Sequence, residues 1–377
     1  MWTVVNLIDR FSDRYDFFIV TRNYESKGDR KPYTTVRSSA WNTVGAAQVF
    51  YLSEQDHSQR KFASIVKAVA PDAVFLNSAL SMPVVRFLSA RRKKLIDPIP
   101  VILAPCGEFS SGALSIKPLK KKLFLKYAKA VRLYDEVIWK ASFSAERDEI
   151  KAVIGSEAEV WIAPDLAPRS ILPDFEFQLK PQKVPGVATF VFLSRITKKK
   201  NIDYFLERLA EINEGSITLD LVGPVEDGEY WKRCLEVAAK CSSNIRLNIE
   251  ADFIPYEEGL QRMIRSHFFV LPTLGENFGY VFLEAMAAGT PLLISDKTVW
   301  SQLHNVNAGW QIPLGDTNRW VETIKHCVAM GPDEYRKMSL NAREYAMGWL
   351  GDTATEEATK LVLKRAVTSR EVAVGND

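Results

Sequence analysis

The chain has 377 residues, room for two domains of ordinary size, each with its own core. Apolar residues make up 47% and charged residues 25%, the balance of a globular protein and not of a disordered or fibrous one. No apolar run reaches the ~18 residues of a helical membrane span, and the N-terminus lacks the basic start and long apolar stretch of a secretory signal. Four cysteines (Cys106, Cys234, Cys241 and Cys327) show neither CxxC spacing nor a histidine partner at zinc-site distance. This argues against a disulfide scaffold and for free thiols in a reducing cytoplasm. The net charge of +3 is unevenly spread. Residues 1–170 carry 26 Lys/Arg against 18 Asp/Glu, whereas the remainder carries 23 against 28. The excess lies in Arg91-Arg92-Lys93-Lys94 and in Lys117, Lys120, Lys121, Lys122, Lys126 and Lys129. It is either a solvated surface or a face for an anionic membrane or a phosphate-bearing acceptor. No nucleic-acid module accompanies it, so nucleic acid is not an expected partner.

Along the chain, Val4, Leu7, Ile8 and Phe11 predict an opening helix, followed by a buried strand at Phe17–Val20 and a polar loop over about residues 22–45. Strands are expected at Gln48–Leu52, Asp72–Leu76, Pro100–Ala104 and Glu136–Trp139. Between them lie helices through Phe62, Ile65, Val66 and Val69 and through Val84, Val85, Phe87 and Leu88. Ser144, with Glu146, Asp148 and Glu149 behind it, reads as a capped helix start, and Gly155 as that helix's end. Four prolines between 168 and 187 read as a linker. Strands at Thr189–Leu193, Ile217–Val222, Ile245–Ile249, Phe268–Leu271 and Pro291–Ile294 then alternate with helices. Helical segments run from about Asp333 to Val367, and residues 368–377 are expected to fray. The expected organisation is a first α/β domain over 1–170, a linker over 171–187, a second over 188–345, and a C-terminal helix and tail over 346–377 that can cross back to the first domain.

In doubly wound sheets, ligands bind where strands end and helices begin. Two such turns stand out. Ser194-Arg195-Ile196-Thr197-Lys198-Lys199-Lys200-Asn201 places four cations at the start of a helix. That is electrostatically wasteful unless the loop is fully solvated or a strong anion is bound. Gly275-Glu276-Asn277-Phe278-Gly279 opens an almost entirely apolar helix whose one charge is Glu284. The glycines let backbone approach a ligand, and a buried Glu284 must meet either a cation or a set of hydroxyls.

Together these features resemble the retaining, GT-B-fold glycosyltransferases, notably family 4 of that classification. Glu276 to Glu284 fits the E-x7-E motif, in the context Glu276-Asn277-Phe278-Gly279 and Glu284-Ala285-Met286-Ala287-Ala288-Gly289-Thr290-Pro291. Ser194-Arg195 with Lys200 is similar to that family's Gly-Arg…Lys pair, and Val222-Gly223-Pro224 to its glycine-ended strand beside the nucleotide.

The resemblance implies a GT-B architecture, two Rossmann-like domains facing a cleft. It implies transfer of sugar from a UDP- or GDP-linked donor to a glycan or lipid-linked acceptor, in bacterial surface polysaccharide synthesis. Neither metal nor cofactor is implied. The site would be cytoplasmic, with peripheral contact at the inner face of an anionic membrane. Arg195 and Lys200 would hold the diphosphate, with Ser194 and Gly223 beside it. Asn277, Phe278 and Gly279 would add backbone contacts, Glu276 would hold the transferred sugar, and Glu284 the ribose.

Three departures stand beside the match. The family's first strand and Gly-rich loop are not found before the opening helix, which implies an upstream start or a specialised copy whose first domain is short by one strand. Cys106, with Gly107 and Glu108 on the acceptor side, stands where relatives often carry His or Arg. Ser194 replaces a glycine. A degenerate GT-B protein that binds nucleotide or a partner without catalysis is the alternative.

Overall fold

The computed structural model describes residues 2–24 and 31–374. The chain divides into two compact units, Met1–Leu166 with Thr353–Asp377, and Ala167–Asp352.

The first unit opens with α1 (Trp2–Phe11), β1 (Phe17–Arg22), β2 (Trp41–Val44) and β3 (Ala47–Leu52). It continues through α2 (Gln59–Val69), β4 (Val74–Asn77), α3 (Met82–Arg92), β5 (Val101–Ala104), α4 (Ser111–Ser115), α5 (Pro118–Ala130), β6 (Val137–Ala141), α6 (Ser144–Ile154) and β7 (Val160–Ile162). Its strands form two sheets where one was expected. One has the order β1-β3-β2, and the other is the parallel β4-β5-β6-β7. The strands β5 and β6 are buried along their whole length, which is why they read as continuous apolar runs.

Three local expectations change. The β1 strand is not buried; Phe18 and Val20 are exposed, because β1 belongs to a three-stranded sheet with only β3 hydrogen-bonded to it. The supposed polar loop contains β2, which hairpins antiparallel onto β3 through Trp41↔Phe50 and Val44↔Ala47. Ser144 is not a cap. It is the first residue of α6, Phe143 precedes it with no side-chain cap, and the Glu146 carboxylate turns back to accept from Ser142 N at 2.7 Å.

The second unit contains β8 (Val187–Leu193), α7 (Ile202–Leu209), β9 (Ser216–Val222), α8 (Gly228–Ala238), β10 (Ile245–Glu250), α9 (Tyr256–Ile264) and β11 (Phe268–Leu271). It ends with α10 (Tyr280–Ala287), β12 (Leu292–Ser295), β13 (Gly309–Ile312), α11 (Thr317–Ala329) and α12 (Pro332–Leu350). All six strands are parallel, in the order β10-β9-β8-β11-β12-β13. The sequence reading omitted β13, whose Gly-Trp-Gln-Ile carries neither clear alternation nor an apolar run. A β-carbon at its Gly309 would strike the backbone of Leu292, so only glycine admits this strand beside β12.

The segment 171–187 belongs to the second unit and is no free linker. Lys180 is buried and donates to Met263 O (3.1 Å), Ser266 O (2.6 Å) and Thr290 Oγ1 (2.8 Å). Lys183 donates to Val328 O and Met330 O. The last helix, α13 (Ala354–Val374), returns to the first unit and lays Val362 and Ala366 against Ile102 and Ile138. It runs on through 368–374, where fraying was expected, and residues 375–377 lie outside the described residues.

Candidate functional site

In the second unit the chain leaves β8 toward β9 on one side and leaves β11 toward β12 on the other. Because β8 and β11 are neighbours, the loops at their carboxyl ends lie at the switch point of a doubly wound sheet, where ligands bind in such folds. Those loops are the two singled out by sequence, and they form one structure. Lys199 O accepts from Leu274 N (2.8 Å) and Thr273 Oγ1 (3.1 Å), and Asn201 Nδ2 donates to Pro272 O (3.0 Å). The loop after β12 joins them, since Glu276 N donates to Lys297 O (3.0 Å) and Ser295 Oγ to Thr273 O (2.6 Å).

At the centre Lys200 Nζ pairs with Glu276 Oε2. Both side chains are largely withdrawn from water, at 11% and 16% exposure. Burial pushes the Glu276 carboxyl up, but Lys200, Lys199 and Arg195 outweigh it and hold it below the usual carboxylate range. Glu276 is therefore ionised at neutral pH. Arg195 lies at the exposed end of the loop and binds both oxygens of Glu226 at 3.0 and 3.1 Å. Sequence reading missed Glu226, which follows Gly223-Pro224-Val225 without any motif of its own.

Ser194 N donates to Val222 O at 3.1 Å, and Ile196 bridges to Val225, so the loops after β8 and β9 run side by side. Gly223 makes this approach possible. Its φ is +139°, and a β-carbon there would fall on the Ser194 carbonyl. A Gly223→Ala variant is expected to lose more than ~2 kcal/mol of stability, with its thermal midpoint lowered by several degrees or more. A midpoint equal to the wild type would show that the loops are free to part.

Gly279 is the N-cap residue of α10, at φ +71°, and a β-carbon there would lie 2.6 Å from the Phe282 ring and 2.9 Å from Glu276 Cγ. Gly279 brings no capping side chain, and no acidic residue stands in the first turn of α10. The positive end of the helix therefore lies at the site, with Glu276 the carboxylate beside it. Phe278 is scaffold. Its ring is buried against Tyr280, Trp300 and Trp349, and its carbonyl accepts from Trp300 Nε1 at 2.8 Å. Asn277 lies between it and Glu276, half-buried. Glu284, at 8% exposure, is buried within α10, and its carboxyl is pushed up to about 7 by burial, with no compensating cation beside it among the described residues. The Tyr256 hydroxyl is raised first by burial and further by the Glu284 charge.

The first unit's candidates follow β5. Cys106, at φ +54°, has its thiol pushed up to about 12 by burial, so it is neither a nucleophile nor a cation donor. Gly107 N donates to Glu146 at 2.6 Å. The Glu108 carboxylate accepts from Ser78 Oγ (2.6 Å) and Leu80 N (2.9 Å), so both its oxygens hold the turn between β4 and α3. That use was not legible from sequence, because the partners lie 28 and 30 residues away.

Residues 187–330 match the family model for group 1 glycosyl transferases. An uncharacterized glycosyltransferase of Methanocaldococcus jannaschii is 28% identical over 138 residues, which cover 34% of this chain. The chain spans about a third of that relative's length, 33%. Among solved structures, sucrose-phosphate synthase from Thermosynechococcus elongatus superposes with a TM-score of 0.65 at 15% identity, covering 99% of this chain and 92% of that one. Anabaena HepE in complex with UDP and glucose does so with a TM-score of 0.67 at 15% identity, covering 96% and 95%. The chain therefore has the GT-B fold, and residues 187–330 of its second unit are similar to the group 1 glycosyl transferases.

Proposed function

We propose that this chain is a retaining glycosyltransferase of family 4, moving a sugar from a UDP- or GDP-linked donor to a glycan or lipid-linked acceptor in surface polysaccharide synthesis. The observation that carries the proposal is the Lys200–Glu276 pair at the β8/β11 switch point, beside the start of α10. Arg195 and Lys200 would bind the donor diphosphate, with Ser194, Gly223 and the Asn277–Gly279 backbone around it. Glu276 would accept from hydroxyls of the transferred sugar, and Glu284 from those of the ribose. HepE, in its complex with UDP and glucose, is a structural neighbour consistent with such a donor.

As the glycosidic bond to the diphosphate breaks, negative charge builds on the departing phosphate oxygen. Arg195, Lys200 and the α10 N-terminus would stabilise that charge. The acceptor hydroxyl would attack the anomeric carbon from the leaving-group face, and its proton would pass to the departing phosphate. This scheme needs neither a protein nucleophile nor a metal.

The test is release of UDP or GDP from a panel of nucleotide sugars. Wild-type turnover reduced about 100-fold or more by Glu276→Ala supports the proposal. Equal turnover in both proteins sinks it. One observation favours a second reading, a binding protein without transfer: Glu108 is committed to structure and the half-buried Cys106 thiol is pushed up to about 12, so neither offers acid–base chemistry. Nucleotide binding with no turnover of any donor would select that reading.

A further inference from the structure

The α5 helix presents an apolar stripe to solvent on a strongly basic segment. Leu119, Leu123, Tyr127 and Val131 follow at four-residue spacing and are 76%, 68%, 57% and 39% exposed. The opposite side of the same helix, Phe124, Leu125 and Ala128, packs into the core of the first unit, so the exposed stripe is not a fragment of that core. At about 100° per residue, Leu119, Leu123 and Tyr127 fall within an arc of about 80°, and Val131 follows at the end of the helix. Lys122, Lys126 and Lys129 line one border, and Lys120 stands on the other side beside Tyr127.

Between Glu108 and Asp135 there is no acidic residue at all, against Lys117, Lys120, Lys121, Lys122, Lys126, Lys129 and Arg132. A second basic cluster stands at the end of α3. There Arg91 reaches Asp135 O (2.8 Å) and Glu136 Oε2 (2.9 Å), with Arg92, Lys93, Lys94 and the exposed Leu95 beyond it.

We propose that α5 lies in the headgroup layer of an anionic membrane, with Leu119, Leu123 and Tyr127 inserted and its lysines paired with lipid phosphates. Exposed large apolar side chains in a contiguous row mark an interaction surface. A protein partner would have to supply an apolar groove rimmed with acid on both sides. An anionic bilayer supplies apolar depth and negative charge together, and lysine stems reach from one to the other. At 13 residues, α5 suits lying within the interface; no helix among the described residues is long and apolar enough to cross a membrane. This deepens the proposed function by naming how a lipid-linked acceptor is met, and its test reads membrane binding apart from donor turnover.

The full chain is sedimented with vesicles of equimolar phosphatidylglycerol and phosphatidylcholine, and with phosphatidylcholine alone. Binding to the first and not the second is expected, weakening as salt rises. The variant Leu119→Ser with Leu123→Ser, all lysines kept, is expected to bind the anionic vesicles about tenfold or more weakly, at an unchanged thermal midpoint and unchanged release of nucleotide from soluble donor. Lys122→Ser with Lys126→Ser is expected to weaken binding and flatten its salt dependence. Full binding by the leucine variant would overturn the inference in favour of charge alone, and suppression by millimolar inorganic phosphate would assign the lysines to a soluble phosphate. A concentration-dependent dimer of the wild type that the leucine variant lacks would assign the stripe to a second copy. Loss of donor turnover in Glu276→Ala with vesicle binding intact separates the fate of this inference from that of the proposed function.

Discussion

Lys200→Ala is expected to unfold at markedly lower denaturant than the wild type at pH 7, with a loss of about 3 kcal/mol. Removing one partner of a buried ion pair leaves the other charge without compensation, which costs more than the pair contributes when intact. In the wild type, Lys200 is the largest of the three cation influences that hold Glu276 below the ordinary carboxylate range against its burial. The stability due to this depression is present above the ordinary glutamate pKa, about 4.5, and is lost as pH falls through the lower native value. In the variant the burial effect is opposed only by Lys199 and Arg195, so Glu276 carries a penalty at neutral pH that protonation relieves. The gap between the two proteins should therefore be wide at pH 7 and close toward pH 4.

Arg195→Ala is the contrast. Its pair with Glu226 is exposed, and a change within ~0.5 kcal/mol is expected. Donor turnover should nevertheless fall in both variants, by about 100-fold for Lys200→Ala. Chemical denaturation across pH checks the first part, and nucleotide release the second. A Lys200→Ala protein as stable as Arg195→Ala at every pH would show that Glu276 is solvated and that the pair is not the centre of the site.

The second large effect concerns Glu284. Its carboxyl is raised from 4.5 to about 7, so the native state prefers it protonated. Stability associated with that proton is fully present below pH ~4.5 and is lost as pH rises through about 7. At one pKa unit per ~1.4 kcal/mol, the loss by pH 8 is roughly 3 kcal/mol. Glu284→Gln keeps the shape and removes the ionisation. The ligand-free variant should match the wild type near pH 4.5 and exceed it by about 2–3 kcal/mol at pH 8.

The same substitution should weaken nucleotide binding about tenfold or more, because an uncharged amide cannot replace a carboxylate accepting two hydroxyls. Donor hydroxyls would draw the carboxyl back toward its ordinary range, so binding near pH 6.5 should release a proton. Titration calorimetry in buffers of different ionisation enthalpy measures that proton. No proton release, with affinity unchanged in the glutamine variant, would remove Glu284 from the site.

Strand and helix periodicity was enough to place nearly every element of the second unit. Its central strands are buried on both faces and so appear as unbroken apolar runs, with the two unusual loops at their ends. The glycines at 223 and 279 were equally legible, because each stands where the chain turns from strand to helix. What failed locally failed for lack of signal. The β2 and β13 strands are four residues long without clear alternation, and the 171–187 segment is held by two lysines whose buried partners lie far along the chain.

The sequence by itself determined the α/β class, the strand ends where chemistry sits, and the basic, acid-free stretch around α5. Only the tertiary structure decided how those pieces are used. Parallel β8 and β11 become neighbours through crossover connections, and this brings Lys200 to Glu276 across 76 residues. Packing turned Glu108 to the β4–α3 turn and left Leu119, Leu123 and Tyr127 facing water. A charge or a leucine is visible in one dimension, but its partner is set by which strands the sheet places side by side.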